Sequence, residues 1–141
     1  MKPKALRDYI DHTLLKATAT SDQIIDICNE AKSYRFFAVC VNGCYVSLVK
    51  NELEHSSVKV AAVIGFPLGA MATRSKLDEV RDCLDQGADE IDMVINIGKL
   101  KEGDHSYVEN EIASVKKIMG NKILKVILET CYLNEEEIRN C

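Results

Sequence analysis

The chain is 141 residues long, 47% apolar and 28% charged, with a formal net charge of −4. Those proportions are ordinary for one soluble globular domain, and residues 1–141 read as a single one. The acidic balance offers no basic field to nucleic acid or an anionic membrane surface, and the longest apolar runs, such as "VAAVIGF", fall far short of a bilayer span.

"MKPKALRDYI" has neither an apolar h-region nor a cleavage site, so no secretion signal is read there. Six cysteines are present, irregularly spaced and several of them inside apolar periodic segments. That usage fits reduced core thiols of a cytoplasmic protein better than a disulfide framework. Cys40 and Cys44 are the only close pair, and His12, His55 and His105 are isolated, so no metal site is expected.

In chain order, "YIDHTLL" (9–15) is the first β-type run. Thr20 and Gln23, three apart, then form a capping-box pattern ahead of an amphipathic stripe through Ile24, Ile25, Ile27, Cys28 and Ala31. "FFAVCVN" (36–42) is the second strand, followed by a helix over roughly 44–54. "VKVAAVIGF" (58–66) is the third. The loop "PLGAMAT" leads from it to a helix carrying Leu77, Val80 and Leu84 that stops at Gly87. "EIDMVIN" (90–96) is the fourth strand. The next helix presents Val108, Ile112, Val115 and Ile118 and stops at Gly120. "ILKVILE" (123–129) is the fifth strand, and Asn134 with Glu137 opens a last helix.

Strand then helix, repeated five times without a linker, implies a parallel sheet with right-handed crossovers. An open doubly wound sheet and part of an eight-stranded barrel both satisfy that order. Barrels take roughly 250 residues, so length favours the open sheet. The two faces of each strand argue the other way. Alternation puts Ile91, Met93 and Ile95 on one face, and Glu90, Asp92, Val94 and Asn96 on the other. In the fifth strand Leu124, Val126 and Leu128 oppose Lys125, Ile127 and Glu129. In the second, Val39 and Val41 oppose Ala38, Cys40 and Asn42, while Asp11 and Thr13 share a face of the first. An open sheet covered by helices on both faces should be apolar on both. One-sided polarity fits a barrel, whose inner face lines a site. Glu90, Asn42, Asn96 and Glu129 read as strand ends reaching solvent. Mid-strand Asp92 and Lys125 do not.

A buried lysine beside a carboxylate supports two readings. Desolvation lowers a lysine's pKa, and the neutral amine attacks carbonyls to form a Schiff base, with the carboxylate moving protons. Alternatively, the two are a structural ion pair filling the interior. "GFPLGA" (65–70) matches neither a P-loop nor a dinucleotide fingerprint. It reads as a shaped loop with Phe66 reaching over the cavity.

"YIDHTLLK", "AVCVN", "VAAVIGFPLGA", "GADEIDMVINIG" and "LKVILETCYL" occur in this order from Tyr9 to Leu133. Together they resemble the deoxyribose-phosphate aldolase family. The resemblance implies an α/β fold of the TIM (β/α)8 barrel class, here an incomplete barrel of about five βα units. It implies a metal-independent class I aldolase without cofactor, acting on a small phosphorylated sugar and aldehydes: 2-deoxy-D-ribose 5-phosphate, acetaldehyde and D-glyceraldehyde 3-phosphate. Nucleic acid and membrane are not among its partners, and homodimers occur in the family. By motif, Asp92 takes the place of the proton-relay aspartate and Lys125 that of an assisting cavity lysine. Asp11, Thr13, Cys40 and Phe66 fall on pocket-lining positions. The family's imine-forming lysine belongs to a "KTSTG" motif on a sixth strand, and a second essential lysine to "GFKPAGG" on a seventh; neither motif occurs in these residues. On that comparison the chain is expected to lack aldolase turnover by itself. A truncated, non-catalytic interaction module and an open-sheet ligand-binding domain are the alternatives.

Overall fold

The computed structural model describes residues 5–141; the first four residues of "MKPKALRDYI" lie outside them. Five parallel strands form one sheet in sequential order: β1 (Asp11–Leu14), β2 (Ala38–Asn42), β3 (Lys59–Ile64), β4 (Glu90–Val94) and β5 (Ile123–Ile127). The connections carry α1 (Ser21–Tyr34), α2 (Val46–Glu52), α3 (Thr73–Asp85), α4 (Ile97–Lys101) and α5 (His105–Met119), with α6 (Glu135–Asn140) after β5.

Local chemistry sets the element ends. Gln23 N donates to Thr20 Oγ1 at 3.4 Å and Thr20 N donates to Gln23 Oε1 at 3.1 Å, so the capping box starts α1 as its spacing predicts. Asn134 and Glu137 make the same reciprocal pair ahead of α6. The helix expected over 44–54 is shorter, because Gly43–Tyr45 forms a 3-10 turn first. Two features carried no signal in the pattern. α4 is held by Asn96, whose side chain accepts from Lys99 N at 3.1 Å, and α1 ends on Arg35 in the left-handed region, where a glycine would be the ordinary choice.

All the large apolar packing lies on one side of the sheet. Val39, Val41, Val60, Ala62, Ile64, Ile91 and Met93 are buried against Ile24 and Cys28 of α1, Val46 and Val49 of α2, Val80 and Cys83 of α3, and Val115 and Met119 of α5. Each fully buried aliphatic side chain there contributes about 1.5–3 kcal/mol of transfer free energy. The opposite face carries a smaller cluster of Ala38, Cys40, Ala61 and Val63, joined by Leu15, Phe37, Phe66 and Ile127.

One contact decides between a flat and a rolled sheet. The Lys125 ammonium on β5 bonds the Asp11 carboxylate on β1, and these strands are the two ends of the sheet. Four strand spacings in a flat sheet are about 19 Å, whereas a lysine and an aspartate joined by a hydrogen bond span roughly 12–13 Å between Cα atoms. The sheet is therefore curled into a trough with its polar face inward. The open-sheet alternative favoured by length gives way to the incomplete barrel favoured by face polarity. Among the described residues no helix is long and apolar enough to cross a membrane.

Candidate active site

The inner face of the trough gathers charge from three strands. Register sets Asp92 beside Lys125 on adjacent strands, with the Lys125 Nζ 3.0 Å from Asp92 Oδ1. The same nitrogen lies 3.3 Å from Glu90 Oε2 and bonds Asp11. On β2, the Cys40 thiol donates to Asp92 Oδ2 across 3.6 Å. Small side chains at Ala38 and Ala61 keep the trough open in front of this group.

Three carboxylates thus face one ammonium, an excess of negative charge in a half-enclosed space. Burial pushes the Asp92 carboxyl above the usual carboxylate range; the adjacent Lys125 ammonium opposes the shift without cancelling it. Glu90 is raised for the same first reason, burial. Burial pushes the Cys40 thiol up to about 12, reinforced by the negative charge of Asp92, so it is a protonated donor at neutral pH. For Lys125, burial works against the ammonium, but its bond to Asp11 and its ion pair with Asp92 outweigh it and hold its pKa above the ordinary value. This corrects the expectation of a neutral amine there. Desolvation is present, but contact with Asp92 on the neighbouring strand and with Asp11 from the far edge of the sheet reverses its effect.

The sequence-derived residues divide as follows. Asp11, Cys40, Asp92 and Lys125 meet in one cluster. Phe66 packs on the inner apolar cluster beside Cys40. Thr13 shares the inner face but is exposed, its hydroxyl donating to the carbonyl of Asp11 at 2.8 Å. The loop carrying Phe66 is shaped by backbone. Gly65 and Gly69 have φ of +63° and +64°, Gly69 N donates to Gly65 O at 2.7 Å, and a Cβ on Gly69 would lie 1.8 Å from Ile95 O. Only glycine fits there.

Two features escaped the sequence reading. Glu90, expected at a wet strand end, is only 2% exposed. The register explains this: Glu90 opens β4 but pairs with Ala61, the third residue of β3, so the stagger of a rolled sheet carries the first residue of β4 into the interior. Alternation had put Glu90 on the right face; the depth was missing. The second is Lys76 of α3, fully buried behind the sheet. Its Nζ donates to Val94 O at 2.8 Å and to Glu111 Oε2 at 2.7 Å. Thr73 Oγ1 donates to Glu111 Oε1 at 2.9 Å. Lys76 stands four and seven positions before Val80 and Cys83, which are buried with it on one face of α3, so helical spacing was the signal that could have found it.

Comparison with known proteins adds to this geometry. Residues 7–141 match the family described as DeoC/LacD family aldolase. A protein of Finegoldia magna named deoxyribose-phosphate aldolase is 61% identical over 132 residues, covering 94% of this chain and 62% of its own. One of Treponema denticola with the same name is 56% identical over 135 residues, again 94% and 62%. The solved structure titled as a unique tetrameric deoxyribose phosphate aldolase from Aeropyrum pernix superposes with a TM-score of 0.87 at 30% identity, covering 96% of this chain and 57% of that one. The chain spans about three-fifths of the length of the curated relatives it matches.

Proposed function

Because the chain belongs to the DeoC/LacD aldolase family, we propose that it forms the first five βα units, as one domain, of the barrel of a deoxyribose-phosphate aldolase. The reaction is the reversible cleavage of 2-deoxy-D-ribose 5-phosphate to acetaldehyde and D-glyceraldehyde 3-phosphate through a Schiff base. The observation that carries this reading is the Asp92–Lys125 pair, 3.0 Å apart on the inner face of the trough.

In this reading each residue has a distinct task. Asp92, whose carboxyl is raised by burial, exchanges a proton with the reacting hydroxyl or with a water beside it. Lys125 stays cationic and stabilises negative charge that develops on oxygen, while Asp11 holds it in place from across the trough. Cys40, Thr13 and Phe66 line the space that the substrate carbons occupy. A lysine held as an ammonium makes a poor nucleophile, so the imine belongs to another lysine. The resemblance assigns it to the "KTSTG" motif, which these 141 residues do not contain. The family resemblance calls for no cofactor or metal. Free cysteines among the described residues fit a reducing, cytoplasmic setting. A homodimer is the assembly this reading carries.

The test is reductive trapping. Acetaldehyde and borohydride are added to this chain and to one extended through strands six to eight of the Finegoldia magna relative, and both are read by mass spectrometry. The extended chain should gain one ethyl group on a lysine of the added segment and this chain none. A folded extended chain without an adduct, or an adduct on Lys125, would overturn the proposal.

A further inference from the structure

Glu90 is the one member of the inner cluster to which the proposed reaction gives no task. It is almost wholly enclosed, and its Oε1 has no hydrogen-bond partner. Among the described residues the only other buried side-chain oxygen in that condition is Asp92 Oδ1. Its neighbour is the Lys125 ammonium, an ion-pair partner with Nζ 3.0 Å from that oxygen. An unsatisfied buried oxygen is costly, and both carboxyl groups that carry one lie against a single ammonium. Since Glu90 Oε2 and Asp92 Oδ1 lie 3.3 and 3.0 Å from the same nitrogen, they are no more than about 6 Å apart. Two carboxylates that close in a low-dielectric pocket do not ionise independently.

We propose that Glu90 is a positioning residue of this site: it braces the Lys125 ammonium against Asp92 and shares one proton with Asp92 through that ammonium. The exchange balances. Lys125 gives a proton to the Asp92 carboxylate and takes one from the Glu90 carboxylic acid. The ammonium is restored, Asp92 is protonated, and Glu90 carries the charge. Burial raises both carboxyls, in accord with this sharing. The charged groups facing Glu90 are Asp11 from β1, Asp92 from its own strand and Lys125 from β5; the Cys40 thiol of β2 faces Asp92. From β3 only Ala61 and Val63 face it. This inference depends on the proposed function for what the proton is used for, but its test does not involve turnover.

The experiment is a carboxyl carbon-13 NMR titration of this chain, unmodified and as Glu90→Gln. In the unmodified protein the Glu90 and Asp92 signals should each show two inflections at shared pH values. In Glu90→Gln, a same-shape replacement, Asp92 should titrate in a single step at lower pH. A packing role alone would leave the Asp92 curve where it was. An unmoved Asp92 curve in the folded variant overturns the proposal. So does an unmodified protein in which Glu90 titrates alone, in one step, within the ordinary carboxylate range; that measurement decides even if Glu90→Gln does not fold. Loss of the trapping result above with coupled titration intact would sink the aldolase reading and leave this one standing.

Discussion

Replacing Lys76 by methionine isolates the largest buried electrostatic commitment outside the inner face. Methionine keeps most of the side-chain stem that packs under Gly65, where a Cβ would already lie 2.9 Å from Lys76 Cε. What goes is the ammonium, 0% exposed, that joins the equally enclosed Glu111 to the Val94 carbonyl. Removing one partner of a buried pair costs about 3–5 kcal/mol, since the other charge is left without compensation. The Val94 carbonyl, deprived of its side-chain donor, adds about 1 kcal/mol at the low end of the unsatisfied-group range. The remaining hydrogen bond from Thr73 to Glu111 holds the sum toward about 4 kcal/mol. For a chain of this size that corresponds to roughly 10 °C or more in Tm. The assay is urea and thermal unfolding followed by circular dichroism, run as a cycle with Glu111→Leu and the double variant. The double variant should recover all but about 1–3 kcal/mol. A single-variant loss under about 1 kcal/mol, or a double variant as unstable as the two losses added, would refute the reasoning.

The glycine pair Gly69 and Gly103 offers a matched contrast. Both have positive φ, but a Cβ on Gly69 meets Ile95 O while one on Gly103 meets nothing within 4 Å. Gly69→Ala should lose several kcal/mol or fail to fold, and Gly103→Ala about 1 kcal/mol, measured by thermal melts; equal losses would contradict the packing argument. Iodoacetamide at mildly alkaline pH should alkylate the exposed Cys44, Cys131 and Cys141 first and spare Cys28, Cys40 and Cys83. Burial raises the latter three to about 11, 12 and 12; early labelling of Cys40 in a peptide map would show the site to be more open than described. Because the Asp92 carboxyl is raised in the folded state, its stabilising contribution is present at acid pH and lost as pH rises through the folded value. Asp92→Asn should therefore melt higher than the parent near neutral pH, with the gain fading toward pH 4; a gain independent of pH would count against that sign.

The parts of this molecule legible in the sequence are those with short-range causes. Strand and helix order followed from hydrophobic period, the starts of α1 and α6 from capping pairs, and the split between a helix-covered face and a polar one from alternation along each strand. That alternation alone placed Asp92, Lys125, Cys40 and Asp11 on one side. The roll of the sheet, the stagger that carries Glu90 inward, the reversal of the lysine's expected titration and the pairing of Lys76 with Glu111 were decided only in three dimensions. Each depends on groups far apart in the chain: Asp11 and Lys125 are separated by 114 positions, Lys76 and Glu111 by 35. Local pattern reports which way a side chain points, while its depth and the charges it meets are set by curvature and register between strands.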